Sequence, residues 1–148
     1  MASDGDLIKL YSQDILRLAS DIPHLAPLER ADGRSTKRAP TCGSVISVEI
    51  MLHCGKIAGF AQDVKACALG QAAASVVGHA IVGTDLDTLK RARAELIEML
   101  LKDGPTPSPP FDGLAPLRAA SSFANRHGSI LLALDAAIDA FESAALSA

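Results

Sequence analysis

Val45-Ile46-Ser47-Val48-Glu49-Ile50-Met51-Leu52-His53-Cys54-Gly55-Lys56-Ile57-Ala58-Gly59-Phe60-Ala61-Gln62-Asp63-Val64-Lys65 reads as two strands joined by a tight turn. The run from Val45 to His53 is rich in β-branched residues, and its alternation sets Ser47, Glu49 and His53 largely on one side, as in a half-buried strand. Cys54-Gly55-Lys56 has the size and glycine content of a hairpin turn, and Ile57 to Lys65 is the returning strand. Thr41-Cys42-Gly43-Ser44 leads into the first strand and Cys67 follows the second. The hairpin therefore brings Cys42 and Cys67 to its one open end. His53 and Cys54 belong to the turn end, roughly eight residues or about 27 Å away at the usual strand rise. We read both as turn or packing residues that share no site with the other thiols.

Further outward, Lys65-Ala66-Cys67-Ala68-Leu69-Gly70-Gln71-Ala72-Ala73-Ala74-Ser75 carries the chain from a strand end into a helix of small residues. A cysteine just ahead of a first helical turn faces unpaired N–H groups and the positive end of the helix dipole, surroundings that suit a thiolate ligand. The alternative for Cys67 alone is a small buried packing residue. The helix is expected from Ala68 to Val82, ending near Gly83, with side chains small enough for close approach.

Asp85 is placed to cap a further helix through Leu86, Leu89, Ala92, Leu96, Ile97, Leu100 and Leu101, with Lys90, Arg91, Arg93, Glu95 and Glu98 on its solvated face. Gly104 to Pro110 is a loop. Helical segments are expected from Leu114 to Phe123 and from Ile130 to Ala145, with a break around Asn125 to Gly128 that holds His127. Before the hairpin, Ser3 or Asp4 starts a helix whose stripe is Leu7, Leu10, Tyr11, Ile15 and Leu18 and which ends near Ser20. Ala31 to Arg38 is polar enough for a loop, and its residues also suit a short edge strand.

The 148 residues suit one compact domain spanning 1–148. Hydrophobic residues are 49% and charged ones 21%, which excludes a disordered chain, while aromatics at 3% mean a core of Ala, Leu, Ile and Val. A net charge of −3 gives no basic footprint for nucleic acid or an anionic membrane. Three cysteines, no signal-peptide pattern and no apolar run long enough for a bilayer lead us to expect a reducing, cytoplasmic setting. There is no P-loop, dinucleotide glycine pattern, nucleophile elbow or paired-cysteine zinc motif. The chemistry rests on Cys42, Ser44, Cys67 and His127.

Pro40-Thr41-Cys42-Gly43-Ser44, the hairpin, Cys67-Ala68-Leu69-Gly70-Gln71-Ala72-Ala73-Ala74-Ser75 and Arg126-His127-Gly128-Ser129-Ile130-Leu131, in that order, resemble the NifU/IscU-type iron–sulfur cluster assembly scaffolds. Leu10-Tyr11 is similar to the first helix of that family. The resemblance implies an α+β fold, a small antiparallel sheet of two to three strands packed against four to five helices. It also implies a scaffold that is not a conventional enzyme, with a cysteine desulfurase and cluster-acceptor proteins as partners. In the family, three cysteines, an aspartate and in some branches a histidine surround a transient iron–sulfur cluster or a zinc ion. By resemblance Cys42 and Cys67 match the first two cysteines and His127 the histidine, so these three are the expected cofactor-binding and metal residues.

Two positions depart from the family. Ser44 stands where the family has its aspartate, and the third cysteine is replaced, either by Gly128 when His127 is matched or by Ser129 when Arg126 is matched. Tetrahedral zinc wants four ligands and clusters want mainly thiolates, so two thiolates and an imidazole would hold either less firmly than a three-cysteine site. Ser44, Ser129, water or a partner's group would complete the set. Apart from the resemblance, Ser44 is an ordinary turn former, His127 could serve as a helix-start hydrogen bonder, and Arg126 equally as a solvated charge or as a group that stabilises thiolate or bound sulfide. The competing functions are a metal-independent interaction or regulatory module descended from a scaffold, and a thiol enzyme with Cys67 as nucleophile and His127 as base.

Overall fold

The computed structural model describes residues 12–40 and 43–147. Cys42, like Thr41, lies outside the described residues, as do Ser3, Asp4, Leu7, Leu10 and Tyr11 of the expected first helix. The described part of that helix is α1 (Gln13–Ala19). Ser12 is extended and caps it, its hydroxyl accepting the Ile15 N–H at 3.4 Å. A single helix running unbroken through Ser12 to Ser20 is therefore not formed, because a serine hydroxyl beside free N–H groups competes well as a cap. The C-terminal limit at Ser20 is as expected.

β1 (Gly33–Arg38), β2 (Val45–His53) and β3 (Lys56–Lys65) form one antiparallel sheet in the order β1-β2-β3. The hairpin register pairs Val45 with Lys65 and His53 with Lys56. Ile46, Val48 and Ile50 are buried on one face, whereas Ser47 and Glu49 stand on the other. Of the two readings open for Ala31 to Arg38, the edge strand is the one that forms, with Thr36 and Ser47 hydroxyls bonded across the pair at 2.8 Å. The stretch between α1 and β1 straps the far edge of the sheet. His24 O accepts the Gln62 N–H at 2.8 Å, and the Gln62 side-chain amide donates to both Pro23 O and Ala74 O.

α2 (Ala68–Ala80) stops two residues short of the expected end. The cause lies in the sheet: Gly83 N–H donates to Ile57 O at 2.7 Å and Ile57 N–H to Thr84 O at 2.9 Å, which pulls the chain back onto the start of β3. α3 (Leu86–Lys102) begins where the sequence places it, the Asp85 carboxylate accepting from Thr88 N at 2.9 Å and Thr88 Oγ1 at 2.6 Å. Asp112–Ala120 is a 3-10 helix. Pro116 within it has no N–H to give to an α-helical ladder. α4 (Ala124–Ser147) then runs unbroken. The expected break at Asn125 to Gly128 lies instead at Ser121 to Phe123, where Ser121 N–H and Phe123 N–H close short turns onto Arg118 O and Ala120 O.

α4 packs on β1 and β2 and on both α2 and α3, and so forms the centre of the fold. The core is aliphatic, as composition requires, with Phe111 its largest fully buried side chain. The result is the expected α+β architecture: a three-stranded antiparallel sheet with four α-helices and one 3-10 helix among the described residues. No described helix is long and apolar enough to cross a membrane.

Candidate functional site

Three elements meet at the open end of the hairpin: the loop before β2, the first turn of α2 and the first turns of α4. The loop is closed by Ala39 N–H to Ser44 O at 2.8 Å and by Gly43 N–H to Ala39 O at 3.0 Å. Gly43 adopts a φ of 72°, which a side chain resists, and this turns Ser44 inward, where it is 3% exposed.

Cys67 is the N-cap residue of α2, with extended backbone and no side-chain capping bond. Its sulfur is half-buried and faces α4, 3.4 Å from the Ser129 hydroxyl. Ser129 is fully buried, and its Oγ also lies 3.0 Å from Ser44 Oγ. Ser44, Ser129 and Cys67 thus form one hydrogen-bonded line across three elements. Gly70, one turn into α2, makes the approach possible. A Cβ there would run into the Ser129 hydroxyl and sit 2.8 Å from the Ala66 methyl and 3.2 Å from the Ser129 carbonyl oxygen.

His127 lies in the first turn of α4 and is 8% exposed. Its Nε2 is 2.9 Å from the Ala120 carbonyl, which can only accept, so in the neutral ring Nε2 carries the hydrogen and Nδ1 the lone pair. Cys67 and His127 are not hydrogen-bonded to one another among the described residues: the thiol has Ser129 and the ring has Ala120 O. Gly128 is exposed, so Ser129 and not Gly128 is the residue that α4 sets beside Cys67. His53 and Cys54 are exposed at the hairpin turn, the opposite end of the strands. No group of three His, Cys, Asp or Glu side chains able to hold a metal ion occurs among the described residues. The sequence reading missed Gly70 as a site residue; a glycine inside an alanine-rich helical run, where it costs about 1 kcal/mol against Ala, was the available signal.

The sequence model of the NifU-like N terminal domain matches residues 10–126. The chain belongs to the NifU-like N-terminal domain family. Among solved structures, the N-terminal part of a nitrogen-fixing NifU-like protein from Brucella abortus is 31% identical, with a TM-score of 0.92 over 97% of this chain and 99% of that one. Two more distant structures share the fold. One is a candidate iron–sulfur cluster assembly scaffold protein for the SUF system of Fervidobacterium islandicum AW-1, 18% identical with a TM-score of 0.75 over 89% of this chain and 96% of that one. The other is a hypothetical protein, 22% identical with a TM-score of 0.69 over 87% and 94%. No curated protein matches the sequence. The NifU-like fold accounts for the convergence on Cys67, and against the family pattern given above this NifU-like chain sets hydroxyls, Ser44 and Ser129, on either side of a shared hydrogen bond.

Proposed function

We propose that the 148 residues act as one NifU-like unit that holds and passes on a labile iron–sulfur cluster or metal ion as cargo, without catalysing a conventional reaction. Cys42 and Cys67 supply thiolates and His127 an imidazole. Water or a group from a partner completes the set. The observation that carries this reading is the half-buried Cys67 sulfur at the start of α2, beside the buried hydroxyls of Ser129 and Ser44. The His127 geometry supports it: a ring nitrogen tied to a carbonyl leaves the other free as a ligand, the usual second bond of a metal-bound histidine. Iron or the cluster suits the thiolates, and zinc suits a mixed sulfur and nitrogen set. The partners are a cysteine desulfurase as sulfur source and cluster-accepting proteins, and the setting is the cytoplasm.

Anaerobic incubation with ferrous iron, cysteine, a desulfurase and dithiothreitol, which reduces the persulfide sulfur to sulfide, is the test. Visible absorbance with protein-bound iron and sulfide is expected, and Cys42→Ser or Cys67→Ser should each lower the bound iron by more than half. Wild-type protein that stays colourless and iron-free overturns the reading for iron and its cluster.

A second reading is a metal-independent interaction module. What favours it is that the Ser44 and Ser129 hydroxyls bond to one another where the family carries ligands. It predicts partner capture that is unchanged in Cys67→Ser, whereas the carrier reading predicts weaker capture of the cluster acceptor.

A further inference from the structure

We infer that Ser129 is a positioning residue for the Cys67 sulfur, donating a hydrogen bond to it in the loaded state and thereby lightening its hold on the cargo. The inference rests on the reading of Cys67 as a cargo ligand. A metal-bound thiolate has no hydrogen to give, so the 3.4 Å contact then has one direction, from Ser129 O–H to sulfur. Ser129 Oγ is 3.0 Å from Ser44 Oγ, and with its own hydrogen committed to sulfur it accepts from Ser44. The two hydroxyls become a directed relay, each bond polarising the next in a dry interior where Ser44 is 3% and Ser129 0% exposed. A hydrogen bond to a thiolate draws charge from the sulfur and weakens it as a donor, and such bonds are among the levers that tune iron–sulfur centres.

The geometry is fixed from outside the pair. Gly70 lets α2 and α4 close until the hydroxyl reaches the sulfur, and the loop at Gly43 turns Ser44 in behind it.

Cobalt(II) is the probe, because its sulfur-to-metal charge-transfer band reads the charge on the ligating sulfur. The protein is the full chain carrying Cys54→Ser, which removes the exposed thiol at the far turn. Ser129→Ala should shift the band to lower energy and slow cobalt release to a chelator. Ser44→Ala leaves the contact to sulfur in place and should give a smaller shift in the same direction. It also serves if Ser129→Ala folds poorly by circular dichroism. A wild-type band that both substitutions leave in place, or move to higher energy, overturns the role of Ser129 alone. A protein with no sulfur-to-cobalt band in any form overturns the metal reading of Cys67, and this role with it.

Discussion

At the scale of single residues, the site depends on what is missing at position 70. Gly70 has the Ser129 hydroxyl and carbonyl where a side chain would be. Gly70→Ala would force α2 from α4 or twist Ser129 off the line to Cys67. Overpacking a tight contact of this kind costs about 1–3 kcal/mol, offset in part by the roughly 1 kcal/mol that Ala gains over Gly inside a helix, so urea unfolding should show a net loss of up to about 2 kcal/mol, and a raised midpoint would contradict the packing described. The same contact decides how much of the site was readable in advance. Cys67 at a helix start was legible, because small residues after a strand leave few other arrangements. The choice between Gly128 and Ser129 was not, because it depends on the rotation of α4 about its axis, which is set by burial of Ser129 and Ile130 against distant elements. Cys42 lies outside the described residues, so its place beside Cys67 stays a proposal from the hairpin.

At the scale of elements, Glu49 joins three parts of the chain. Its carboxylate accepts from Arg34 Nε of β1 at 2.9 Å and from the Leu28 N–H of the strap at 3.1 Å. The Arg34 hydrogen bond, with that of Leu28, holds its pKa below the ordinary 4.5. A carboxyl with a lowered folded pKa adds stability that is present above its unfolded value and is lost as pH falls through the folded value. Arg34 is 66% exposed, so the pair is worth at most about 1 kcal/mol. The stability difference between wild type and Glu49→Gln should thus be small and constant near neutral pH and should shrink as pH falls from 4.5 through the lowered value of the folded carboxyl. A difference that grows with acidification would contradict the assignment. Such long-range ties are what sequence patterns do not carry. The hairpin and the Asp85 cap were legible because residues within a few positions decide them. The end of α2 and the break before α4 were misplaced because Ile57, packed beside Gly83 and Thr84, and the turns onto Arg118 and Ala120 decide those instead. Gly128 reads as a breaker, yet burial of Ile130, Leu132 and Leu134 on the same helix outweighs its cost of about 1 kcal/mol.

At the scale of the molecule, a three-stranded sheet and its helices gather the chemistry at one end of a hairpin, and α4 carries the last parts of it. The NifU-like fold is kept, and the hydroxyls of Ser44 and Ser129 line up beside Cys67. On the proposed reading, this end of the molecule carries iron, cluster or zinc through its cysteines. Elemental analysis of freshly purified wild-type protein and of Cys42→Ser and Cys67→Ser, prepared anaerobically, tests it most directly. Bound iron with sulfide, or zinc, is expected in the wild type, with most of it lost in either substitution; wild-type protein free of both metals, or metal that survives both substitutions, would contradict that reading.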